Sequence, residues 1–282
     1  MIRWLYKRRA VVVWVEDVLT KEYLRVLWQD PKIAFAVAAG RDAVSSLTTD
    51  ARSGSDARKN VFGIRDRDFG DTNFPDWKPD TCIFTLPRYE IENYLLDWDA
   101  LAGCAGEGLR RSAAEIERRV KKRATALTWW ASCKRALLDL RMELTGSFPA
   151  DPTQDEITDR ASALNYVLKT NDWHGHVCGL LTTNLANYSV ANNLSKYHGE
   201  IKQTINAGDW PETFPGKPLL REARSYVRGA KGALTPEEAD VDLAKAVANW
   251  QVDHKQQPAD LMTLRDCVIK RTGLPTRSSR HP

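Results

Sequence analysis

Val11-Val12-Val13-Trp14-Val15-Glu16 is a run of apolar, mostly β-branched residues closed by an acid. So short a run with that composition predicts a strand, and its unbroken apolarity predicts one buried on both faces, as in a parallel sheet. Lys7-Arg8-Arg9 just before it imitates the start of a signal peptide. The apolar run is too short for that, meets Glu16, and has no small-residue cleavage site. A basic N-terminal arm on a cytoplasmic protein is the expectation. Beyond Glu16, Tyr23, Leu24, Leu27 and Trp28 share one helical face, with Thr20 as the expected N-cap. Pro31 breaks that helix, and residues 33–37 form a second strand. Gly40 turns the chain into a helix through Ala43, Val44 and Leu47. A polar stretch, 48–60, leads to a third strand at 61–64, and a fourth follows at 82–86. Strands separated by helices predict a mostly parallel, four-stranded sheet flanked by helices, an α/β fold.

From Glu90 onward strand signals thin out. Residues 90–98 read as helical, 112–144 as one or two long helices, and Asp151-Pro152 as the opening of a helix to about Lys169. Residues 170–215 read as irregular, with a weak strand candidate at 176–181. Pro236 starts a helix reaching Trp250, and Pro258 starts a last one ending near Gly273. The expected organisation is an α/β domain over residues 1–105 and a mainly helical region over 106–282, packed on the sheet or separate from it.

Composition excludes several classes. The 282 residues are 43% hydrophobic and 28% charged, which is ordinary for a globular chain. No apolar stretch is long enough to cross a bilayer. The five cysteines are scattered without zinc-ligand spacing and read as buried free thiols. The ten tryptophans read as core or interface anchors. A formal charge of +4 is compatible with a nucleic-acid partner without requiring one. No glycine-rich phosphate loop is present, so any dependence on ATP must come from a partner.

The chemistry gathers at strand ends. Glu16 closes the first strand, and Asp66 and Asp68 lie just past the third. Ligands of parallel α/β sheets bind beyond the carboxyl ends of the strands, often where strand order reverses. In an extended segment Asp66 and Asp68 point the same way while Arg67 points elsewhere. Carboxylates converging there repel one another unless a cation joins them, and hard oxygen donors suit Mg²⁺ or Mn²⁺. Such a site supports phosphodiester cleavage or transfer. Taken one at a time, these acids read equally as turn formers and caps.

Three stretches carry a resemblance when taken in order. They are Val12-Val13-Trp14-Val15-Glu16, then Gly40-Arg41-Asp42-Ala43-Val44, then Val61-Phe62-Gly63-Ile64-Arg65-Asp66-Arg67-Asp68. The set resembles the Toprim domain, a Rossmann-like fold, and within it the OLD-like nucleases. Arg88-Tyr89-Glu90-Ile91-Glu92-Asn93-Tyr94-Leu95-Leu96 and Phe214-Pro215-Gly216-Lys217-Pro218-Leu219-Leu220 are similar to further elements of that group. The resemblance implies that Glu16 is a metal ligand or general acid/base and that Asp66 and Asp68 hold a divalent ion. It implies that Glu92 is a further acidic ligand or a partner to one, and that Lys217 contacts the scissile phosphate. It also implies a Mg²⁺- or Mn²⁺-dependent endonuclease acting on DNA or RNA. By the same resemblance, small Toprim proteins of this kind serve as effectors in PARIS-like anti-phage defence, often beside a separate ABC-type ATPase, and a homodimer is one possible active form of the chain. The alternative is a catalytically silent Toprim scaffold that binds a partner protein. The chain departs from the family at Asp17, where glycine is usual, and at Thr20, where an acid is usual. These departures reduce the expectation to one metal position with Glu16 beside it.

Other features carry plainer readings. Glu90 and Glu92 suit the positive end of a helix dipole. His174-Gly175-His176 reads as a loop pair. The stretch Arg118-Arg119-Val120-Lys121-Lys122-Arg123, close to Glu115 and Glu117, reads as a solvated, partly salt-bridged face, with phosphate contact as the other reading. Of Trp129-Trp130, one indole is expected at a helix–helix contact.

Overall fold

A computed structural model of the chain describes residues 11–53, 57–67, 77, 81–106, 109, 111–143, 151–169, 190–227 and 235–272. Its centre is a four-stranded, all-parallel sheet in the order β2-β1-β3-β4, with β1 Val11–Val15, β2 Ile33–Val37, β3 Val61–Arg65 and β4 Ile83–Thr85. Every residue of β1 is buried. Alternation sends Val11, Val13 and Val15 into a large apolar cluster and Val12 and Trp14 into a small one with Ala36, Val44 and Val61. The unbroken apolar run is thus the signature of a strand sandwiched between two helical layers.

Helix α1 (Val18–Trp28) leads from β1 outward to β2, and α2 (Arg41–Arg52) leads back to β3 on the other side of β1. Strand order therefore reverses between β1 and β3, the place where the carboxyl ends of an open sheet leave a crevice. The cap of α1 is Asp17, whose Oδ1 accepts the Thr20 N–H at 2.8 Å, so Thr20 sits within the first turn rather than capping it. Asp17 has φ −142°, extended backbone that any residue adopts, so glycine is not needed there. Gly40, by contrast, takes φ 119° while its N–H bonds the Glu16 carbonyl at 3.1 Å, a conformation that favours glycine.

After β4 the expected helix at 90–98 is replaced by a single 3-10 turn, Ile91–Tyr94, followed by α3 (Trp98–Gly103). A capping box between Glu90 and Asn93 closes the turn, and Asp97 caps α3 anew. The long basic stretch is two helices, α4 (Ala113–Ala126) and α5 (Thr128–Glu143). The helix expected from residue 151 begins only at α6 (Arg160–Lys169). The region expected to be irregular contains α7 (Val190–Ala207) and the short α8 (Trp210–Thr213). The strand candidate at 176–181 and the histidine pair at 174 and 176 lie outside the described residues, as do Lys7, Arg8 and Arg9. The chain continues through α9 (Gly216–Val227), α10 (Pro236–Asp253) and α11 (Ala259–Arg271).

The large apolar cluster runs from β1, β3 and β4 through α1 into α9, α10 and α11, so the helical region completes the core on that face of the sheet. A buried polar tie fixes the join. Tyr23 Oη donates to Gln251 Oε1 at 2.8 Å, and Gln251 Nε2 donates to Asp97 Oδ2 at 3.0 Å. Arg271 donates to the Thr81 and Trp77 carbonyls and lies over the Phe84 ring, pinning α11 beside β4. Trp130 is buried, while Trp129 stacks on His198 of α7. Cys82, Cys104, Cys133 and Cys267 are free thiols, but of these only Cys133 is buried; the other three are half-buried rather than buried as expected. Among the described residues no helix is long and apolar enough to cross a membrane.

Candidate functional site

The carboxyl ends of β1 and β3 are tied side chain to backbone. Glu16 Oε1 accepts the Asp66 N–H at 2.8 Å, and Asp66 Oδ1 accepts the Ile91 N–H at 3.1 Å. Arg67 N–H bonds the Tyr89 carbonyl at 3.0 Å, so the loop after β3 runs along the segment that enters the 3-10 turn. That turn carries Glu92, buried at 3% exposure, whose Oε2 has no hydrogen-bond partner among the described residues.

Helix α9 arrives end-on at the same place. Glu90 Oε2 accepts the Gly216 N–H at 2.7 Å and the Lys217 N–H at 3.1 Å, capping amides that a helix N-terminus leaves unsatisfied. Asn93 Nδ2 donates to the Pro211 and Phe214 carbonyls at 2.8 Å each, holding the approach to α9 against the turn. The contact is so close that a Cβ on Gly216 would meet Asn93 Oδ1 and Glu92 Cβ at 2.8 Å and the Asn93 backbone nitrogen at 3.0 Å. Gly216→Ala is therefore expected to destabilise the protein by roughly 1–3 kcal/mol and to move Lys217 away from the carboxylates. Thermal unfolding, read alongside the activity assay below, checks both effects.

Electrostatics follows from this packing. Burial raises the Asp66 carboxyl well above its usual range, and the nearby carboxylates of Glu92, Glu90 and Glu16 raise it further. Burial also raises Glu92, to about 8, with Glu90 and Asp17 adding to the shift and Lys217 opposing it. For the Lys217 ammonium, burial pulls downward, but Glu92, Glu90, Asp66 and Asp17 outweigh it and hold it above its ordinary value. The site is a cluster of carboxylates with one ammonium at its mouth.

No family model and no curated protein matches the chain.

Glu16, Asp66, Glu92 and Lys217, chosen across 201 positions of sequence, come together at the strand-order reversal. Asp68 lies outside the described residues. Glu90 and Asn93 were missed as site residues. Glu90 read as a dipole-facing acid, whereas it caps both the turn and α9. The Glu-x-x-Asn spacing was the available signal, since it is the spacing of a capping box.

Among the described residues no three histidine, cysteine or acidic side chains are arranged to hold an ion by themselves. Mg²⁺, however, is typically bound through one or two carboxylates and retained waters. Asp66 and the partnerless Oε2 of Glu92 fit that demand, because a cation would relieve both their mutual repulsion and the unsatisfied buried oxygen.

Proposed function

We propose that the chain is a divalent-metal-dependent nuclease that cleaves phosphodiester bonds in DNA or RNA. The observation that carries this reading is the meeting of Asp66 and Glu92 with Lys217 where strand order reverses, with Glu16 fixing the loop that bears Asp66. In this reading Asp66, Glu92 and, by resemblance, Asp68 and Glu16 hold Mg²⁺ or Mn²⁺. These residues would hold the ion where its positive charge would supply polarisation of a phosphoryl group and orientation of an attacking oxygen. Lys217 binds a non-bridging phosphate oxygen, and its ammonium stays charged because the carboxylates beneath favour that form. Glu90 positions Lys217 through the two amides it caps. A further part of the proposal, an effector role in anti-phage defence under a separate ABC-type ATPase, rests on the Toprim resemblance alone.

A second reading, a silent scaffold for a partner protein, is favoured by one specific observation. Asp17, Glu16 and Asp66 each already accept a backbone N–H and so serve the fold as caps and ties.

Incubation with plasmid DNA, single strands and tRNA in Mg²⁺ or Mn²⁺, and toxicity on co-expression with the ATPase, separate the two. Glu16→Gln and the pair Asp66→Asn/Asp68→Asn are each expected to lower cleavage by more than about 100-fold, since even groups one shell removed from a metal are worth about 10–100-fold. Equal cleavage or equal toxicity by wild type and variants would leave the scaffold reading.

A further inference from the structure

Helix α9 has two ends with opposite charge surroundings. Its N-terminus meets the acidic cluster, and its C-terminal half lines an open groove of ≈ 490 Å³ against α4. The groove is walled by Arg118, Arg119, Lys122 and Arg123 from α4 and by Glu222 and Tyr226 from α9. Four cations thus face a single carboxylate, and Glu222 is already engaged, accepting from Tyr226 Oη at 2.8 Å.

The cations are not all consumed by the fold. Arg119 places its Cζ over the Tyr226 ring, 4.5 Å from the centroid, and its Nε is buried without a hydrogen-bond partner, Glu115 standing 3.7 Å away in an ion pair. Arg123 donates to Gln154 at 2.6 Å. Arg118 and Lys122 are exposed one turn apart, and among the described residues neither has an ion-pair partner. The plain reading of this stretch, a solvated and partly salt-bridged face, is what the structure has: Arg119 pairs with Glu115, and Arg118 and Lys122 stand in solvent at the groove.

We propose that this groove binds the phosphodiester backbone of a single nucleic-acid strand. Charge complementarity selects a polyanion, since four cations line the groove against one carboxylate. Arg119 already covers the aromatic face, so bases find no stacking platform there and binding is independent of sequence. Lys217 and Tyr226 are nine residues apart on α9, about two and a half turns, so they stand on opposite faces of the helix, and binding in the groove does not rest on the nuclease reading.

Binding of fluorescent oligo(dT) and oligo(U), measured with EDTA present so that no cleavage occurs, tests the groove alone. The pair R118E/K122E changes exposed side chains and is expected to weaken binding at low salt by at least about 10-fold. It should also flatten the slope of log affinity against log salt by about 1.4, the value for two lost phosphate contacts on a single strand. R118K/K122R should bind as wild type does, and so should Asp66→Asn. A melting curve of R118E/K122E matching wild type certifies the fold. Unchanged affinity and slope in R118E/K122E would overturn the proposal, as would tighter binding of the matching duplex. Displacement of the strand by poly-glutamate at equal charge would overturn it too, marking a site for an acidic protein segment. Because no cleavage is measured, failure here leaves the acidic site untouched, and loss of cleavage in Asp66→Asn with binding intact separates the two in the other direction.

Discussion

The cation-free protein is expected to lose stability as pH rises from about 5 to about 8, and Mg²⁺ or Mn²⁺ is expected to return most of it at the upper end only. The sign comes from Glu92, whose carboxyl titrates near 4.5 in the unfolded chain and at about 8 in the fold. Between those values the folded state holds a proton that the unfolded state has released, so stability falls with rising pH across that window. Asp66 shifts in the same direction and steepens the fall. Lys217, raised above its ordinary value of 10.5, is charged in both states throughout this range and contributes no slope. The accumulated loss is a few kcal/mol, on the order of 10 °C in Tm. Protons and a divalent cation compete for the same oxygens, so the metal-induced rise in Tm should be large at pH 8 and small at pH 5.5. Glu92→Gln should flatten the metal-free profile and shrink the metal response. A profile that climbs with pH, or a Glu92→Gln protein with the wild-type slope, would mean that the carboxyls are not the repelling buried group derived above.

How much of this was legible in the sequence depended on whether the deciding contact was local. The strands β1, β2 and β3 were, because an apolar run closed by a turn residue or an acid has few other ways to be satisfied. Glu16 and Asp66 followed from their strand-end positions, and the order reversal that brings them together is a consequence of parallel connections. The start of α1 was misplaced because Asp17 was weighed only as a replacement for a glycine, although aspartate is among the best N-caps. Helix α7 was overlooked because asparagine, serine and glycine around its first half obscured the spacing of Leu194, Tyr197, Ile201 and Ile205, which the fold buries on one face. The bond from Glu90 to Gly216 spans 126 positions, and no local pattern announces a contact of that kind. The basic stretch in α4 could be read only as a helix face, because its counterpart, Tyr226 with Glu222, lies a hundred residues away on α9.

Asn93 should prove the most sensitive single position of the site, although it carries no charge and has no metal or phosphate role in the proposed reading. It is fully buried, and its amide makes three bonds. Oδ1 accepts from the Glu90 N–H at 2.8 Å, and Nδ2 satisfies the carbonyls of Pro211 and Phe214. Asn93→Ala strands one donor and two acceptors in the interior, each costing about 1–3 kcal/mol before relaxation, so a net loss of roughly 3–5 kcal/mol is expected. Asn93→Asp keeps the acceptor but turns a carboxylate oxygen toward two carbonyls and adds a charge beside Glu92 and Asp66. It should therefore be worse than alanine at pH 8 and recover toward it at pH 5, where the carboxyl takes up a proton. The functional consequence goes through Glu90. Once its own turn is loosened, Glu90 no longer fixes the amides of Gly216 and Lys217, and cleavage should fall together with stability even where the variant remains folded. Denaturant titrations at both pH values, paired with cleavage rates below the melting transition, test the chain of effects. An Asn93→Ala protein as stable as wild type would show that α9 is held at the acidic cluster by its apolar face alone, and that the Asn93 ties are incidental.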